Sequence, residues 1–122
     1  MSPPAREAWP VEELARVLAA YAEGSTPDRD DERAAVKGSL AELARQVPGR
    51  SVEVRVPPYS AVQVVGGSIH RRGTPSAVVE MNARTWLELA TGEVSFASAV
   101  AAGRVLASGE RSDLSQYLPI QR

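Results

Sequence analysis

The sequence predicts an α+β domain in which helices are laid on one face of a sheet. Three observations carry that prediction. The first fifty residues repeat apolar side chains at helical spacing. The hydrophobic period then falls to two from Ser51 onward, and after Met81 short helices bounded by glycines alternate with a returning strand.

Residues 9–24 read as the first helix. Pro10 suits its first turn, Glu12 and Glu13 face the positive end of the dipole, and Gly24 is a C-terminal stop. Val11, Leu14, Val17, Leu18 and Tyr21 recur on one face. A polar link carries Asp28, Asp30, Asp31 and Glu32 into a second helix, striped by Val36, Leu40, Leu43 and Val47 and ended by Pro48-Gly49. Two such helices are unstable alone, so their stripes must pack on later elements or on another copy of the chain.

In 51–56 Val52, Val54 and Val56 alternate with Glu53 and Arg55, as in a half-buried strand, and Pro57-Pro58 ends it. Residues 59–67 read as a more continuously apolar strand, 66–76 as a turn-rich connection, and 77–81 as a third strand. Asn82 caps a helix stopped by Gly92, and Ser95 caps another stopped by Gly103. Residues 104–108 return as a strand, and a last short helix is expected over 113–118, ended by Pro119. The chain thus reads as one domain over 1–122, a helical pair at 1–50 preceding the sheet and its helices at 51–122.

The inventory excludes much chemistry. With no cysteine there are no disulfides, thiolate metal sites or cysteine nucleophiles. Fourteen basic and fifteen acidic residues give a net charge of −1, which offers no global attraction to nucleic acid. No secretory signal or spanning apolar run is visible, so a cytoplasmic protein without membrane insertion is expected. Lys37 is the one lysine among many arginines, and alanine is abundant, a composition that suggests a GC-rich bacterial genome.

His70 is the only histidine, in a Gly-, Pro- and Arg-rich loop with no neighbouring carboxylate to orient it as a base. An enzyme reading would rest on His70 with Arg71, Arg72 and the distant Glu80 converging on a pocket. No nucleotide-binding glycine pattern is present, and Asp28 to Glu32 lacks the spacing of a calcium loop. No cofactor or metal is expected.

Residues 78–118 resemble the C-terminal half of sterol carrier protein 2-like domains, in particular their short bacterial orthologue group. The landmarks are Asn82, Trp86-Leu87, Thr91-Gly92, the alanine-rich 97–101 run, Gly103, Gly109 and Leu114. The resemblance extends over roughly 52–120 and implies a four- to five-stranded mixed sheet covered by helices on one face. Only 66–76 intervenes where the animal carriers have a longer strand-rich region, so one strand is expected to be short or lost. The family supplies one long N-terminal helix where this chain has two, which makes the second the family element and the first an addition.

The resemblance further implies a non-catalytic protein that binds or transfers a lipid, fatty acid or acyl-CoA in an apolar tunnel. Trp86 and Leu87, Phe96 and Val100, and Leu114, Tyr117 and Leu118 make apolar stripes that would line such a site. The same residues serve equally well as core filling. Burying some fourteen methylenes gains roughly 10 to 12 kcal/mol, against an association cost of about 4 kcal/mol or more, so no special polar site is required. Arg71, Arg72 and Arg104 are head-group candidates by charge. The alternative is a structural or regulatory interaction module with a closed tunnel, using an exposed stripe on its N-terminal helices to form a homodimer or dock on an enzyme.

Overall fold

Short side chains set the helix starts. Asp28, Asn82 and Ser95 each accept the backbone N–H three residues on, from Asp31, Thr85 and Ser98, and so open helices α2 (Arg29–Gln46), α3 (Ala83–Thr91) and α4 (Phe96–Ala101). The first helix, α1 (Val11–Glu23), follows Pro10 and ends at Gly24, whose φ of 73° is left-handed. These elements belong to a computed structural model that describes residues 9–67, 77–109 and 112–121.

Among the described residues four strands form one sheet: β1 (Val52–Val56), β2 (Ser60–Val64), β3 (Ala77–Glu80) and β4 (Leu106–Ser108), in the order β2-β1-β3-β4. β1 runs antiparallel to β2 and parallel to β3, and β3 runs antiparallel to β4, so the sheet is mixed. Register follows the pleat: Val52 faces Val64 and Ala77, and Val54 faces Val62 and Val79. Val52, Val54, Val56, Val64 and Val79 are fully buried beneath the helices, while Glu53, Arg55 and Glu80 share the other, open face. There Arg55 Nε lies 3.7 Å from a carboxylate oxygen of each glutamate.

α2 packs on β2, and α3 packs on α2. α1 lies across both helices and buries Leu14, Val17 and Tyr21, leaving Leu18 half-buried and Val11, in the first turn, exposed. Its entry is close because α2 carries Gly38: a Cβ there would lie 3.0 Å from the Pro10 ring. Arg16 closes the pair with a two-point ion pair to Asp31, at 2.9 and 2.8 Å. The apolar stripe of α1 is therefore spent within its own chain. The exposed docking stripe that the interaction-module reading required does not exist, because Leu14, Val17 and Tyr21 share one core with Val36 and Leu40.

Beyond α2 the chain makes a tight junction. Gly49 has φ of 149°, and a Cβ on it would sit 2.1 Å from the carbonyl carbon of Val65. Val65 is itself left-handed, at φ 67°, held by its N–H to the Val47 carbonyl (2.9 Å) and by its carbonyl to the Ser51 N–H (3.0 Å).

The expected last helix is only a 3-10 turn at Ser115–Tyr117. Asp113 Oδ1 accepts both the N–H and the hydroxyl of Ser115, at 2.9 and 2.7 Å, a local turn that competes with an α-helical start. The tail then returns to the core, where the Ile120 N–H donates to the Ala90 carbonyl at 3.0 Å.

Candidate functional site

The apolar residues singled out in the sequence converge unequally. Trp86, Leu87, Phe96 and Leu114 lie in one core cluster, with Tyr117 and Leu118 packed half-buried against it. Val100 does not join them. It is 41 % exposed because α4 turns Phe96 and Ala99 inward instead.

Trp86, Leu87 and Leu114 have no accessible surface, so no space wide enough for water opens against them. Trp86 is also fixed by its edge: Nε1–H donates 2.8 Å to Ser39 Oγ, which in turn donates to the Ala35 carbonyl at 2.7 Å. An apolar guest among these side chains requires them to part.

The outer side of α3 carries a polar site. Glu88 is one turn beyond Arg84, whose Nε donates to Oε2 at 3.1 Å. Arg104, just past α4, donates from Nη2 to Glu88 Oε1 at 2.5 Å and from Nε to Thr85 Oγ1 at 3.1 Å. Burial alone would raise the Glu88 carboxyl, but the hydrogen bonds and charges of Arg104 and Arg84 outweigh it and hold the group below its ordinary range. An open cavity of about 630 Å³ lies here, walled by Asn82, Arg84, Thr85 and Glu88 on one side and by Val94, Gly103 and Arg104, which flank α4, on the other.

This cluster continues to the N-terminal helices. The Arg84 guanidinium carbon sits 5.2 Å from the centre of the Tyr21 ring. Tyr21 donates to Glu32 Oε2 at 2.5 Å, and Tyr59 donates to Glu32 Oε1 at 2.7 Å. Burial first, then the Glu32 carboxylate, pushes both phenols upward. Sequence reasoning named Tyr21, Glu32 and Arg104 singly but missed Arg84, Glu88 and Tyr59 and the convergence of all six. The Arg84-Glu88 spacing was the one available signal, since the other hydrogen-bonded pairs join residues eleven to twenty-seven apart and Arg84 and Tyr21 lie farther apart still.

Arg71 and Arg72, together with His70, fall outside the described residues. Arg104, the third head-group candidate, lies at the polar cavity. Glu80, the distant partner considered for His70, lies on the open sheet face beside Arg55. Among the described residues no group of three or more metal-ligating side chains could hold an ion, and no helix is long and apolar enough to cross a membrane.

A comparison with curated proteins finds no match. A comparison with protein families finds one over residues 28–120, described as a bacterial SCP ortholog. The match begins at the Asp28 cap, so it takes in α2, the four strands, α3 and α4, and leaves α1 outside. With the greater part of the chain matched and a mixed sheet covered on one face by helices, this protein belongs to the bacterial SCP ortholog family.

Proposed function

We propose that the protein is a cytoplasmic, non-catalytic carrier that binds a lipid, fatty acid or acyl-CoA through its apolar chain. The family match over residues 28–120 is the observation that carries this reading. In it, Trp86, Leu87, Phe96, Leu114, Tyr117 and Leu118 surround the guest, between the sheet and the helices.

The closed packing of these residues sets an energetic condition. Among the α-helices α4 buries the fewest side chains, only Phe96 and Ala99 of its six residues, so it is the helix that separates at least cost. Re-exposing a phenylalanine costs roughly 1.5 to 3 kcal/mol, well below the roughly 10 kcal/mol gained by a long acyl chain. Val100, already turned to solvent, then becomes a lining residue only if α4 rotates.

Mass spectrometry of an organic-solvent extract of the natively purified protein, beside an unrelated control purified in parallel, tests the reading. A stoichiometric lipid, fatty acid or acyl-CoA found only in the sample is the expected result. A clean extract, together with no quenching of tryptophan emission by spin-labelled fatty acids, would overturn it. The interaction-module reading would then stand on the absence of accessible surface at Trp86, Leu87 and Leu114. It would need a docking surface other than the buried face of α1.

A further inference from the structure

We propose that the polar cavity between α3 and the two ends of α4 receives the anionic end of an amphiphilic guest, a carboxylate or phosphate monoester on an apolar chain, with Arg84 and Arg104 as its partners. This rests on the carrier reading and adds to it a charge requirement.

The first argument is charge. Arg84 and Arg104 face one carboxylate, that of Glu88, and the cavity's other walls, Asn82, Thr85, Val94 and Gly103, are neutral. The cavity's own walls thus carry two positive charges and one negative.

The second is donor count. A guanidinium carries five N–H donors. Arg84 gives one to Glu88, and Arg104 gives one to Glu88 and one to Thr85. The rest have no acceptor among the described residues, and a planar fork with spare donors matches the paired oxygens of a carboxylate or phosphate.

Preorganisation is the third. Glu88 and the Tyr21 ring hold Arg84, while Glu88 and Thr85 hold Arg104, so little side-chain freedom remains to be lost on binding.

The last is continuity with the apolar layer. Val94 lines the cavity and Phe96, two residues on, enters the core. α3 likewise carries Thr85 and Glu88 in the cavity wall and Trp86 and Leu87 in the core. A chain passing beneath α4 would therefore leave its polar end at the two arginines. A volume of about 630 Å³ suits a head group.

Calorimetric titration of the full chain with laurate, dodecyl phosphate and dodecanol, each below its aggregation threshold at neutral pH, tests the proposal. Both anions should bind more tightly than dodecanol. Arg84→Gln, at a half-exposed position that folding tolerates, should weaken the anions by about fivefold and leave dodecanol unchanged. Glu88→Gln, which removes the opposing charge, should strengthen the anions, whereas a purely structural Glu88 would weaken all three ligands together. Tighter binding of dodecyl phosphate identifies a phosphate head group, and tighter or equal binding of laurate a carboxylate. The proposal fails if dodecanol matches the anions, or if both variants shift all three ligands alike, and in either case the carrier reading survives. If none of the three binds the unmodified chain, the carrier reading falls and the head-group site falls with it.

Discussion

Trp86 and Ser39 meet edge to hydroxyl in the dry interface between α3 and α2, with the indole N–H 2.8 Å from Oγ. The pair satisfies a donor that would otherwise be buried unpaired. Ser39→Ala should cost about 1 to 3 kcal/mol, because the indole N–H keeps its desolvation cost and loses its acceptor. Thermal unfolding should show a midpoint lower by roughly 3 to 5 °C per kcal/mol.

Glu88 should make the fold sensitive to acid. Its carboxyl lies below the ordinary value of 4.5 in the folded chain, so the unfolded chain binds the proton more readily. The stability it contributes is complete above 4.5 and is lost as pH falls through the folded value. Urea unfolding at a series of pH values should show Glu88→Gln losing less stability than the parent over that interval, with the two curves running parallel near neutrality.

Leu14 tests whether the helix outside the family match is part of the core. It is 6 % exposed and packs in the same cluster as Val36 and Leu40. Leu14→Ala should destabilise the whole domain by about 2 to 4 kcal/mol in a single cooperative transition. Loss of the α1 signal alone, at an unchanged main transition, would show that α1 folds as a separate unit.

Gly49→Ala should be among the most damaging single changes. The added methyl would occupy the position of the Val65 backbone, at 2.1 Å from its carbonyl carbon, and flexible side chains cannot relieve a backbone clash. A loss of at least about 3 kcal/mol is expected, read by denaturant titration.

Legibility in the sequence followed the range of the interactions. Asn82 with Gly92, Ser95, and Gly24 were readable because a cap is decided within four residues. The alternation of Val52, Val54 and Val56 likewise fixed which face of β1 is buried. Asp28 to Glu32 was legible only as an acidic helix start. Its members divide the work: Asp28 caps, Asp31 pairs with Arg16, and Glu32 accepts both tyrosines, and tertiary packing alone decides which does which. The Glu88-Arg104 pair was hidden for the same reason, across the whole of α4. Val100 misled because a six-residue helix offers too few turns to show which side faces inward. At 113–118 apolar spacing was outcompeted by the hydrogen bonds of Asp113.

The fit of Pro10 against Gly38 turns the first helix into a question of handling as well as architecture. A fragment cut at residue 28, where the family match begins, would look like a sensible domain on paper. In the tube it would present bare patches of Val36 and Leu40 to solvent, with Glu32 stripped of one of its phenols. Poor yield or clumping of such a fragment would be a consequence of the cut, and would say nothing against the fold that residues 28–120 adopt in the longer chain.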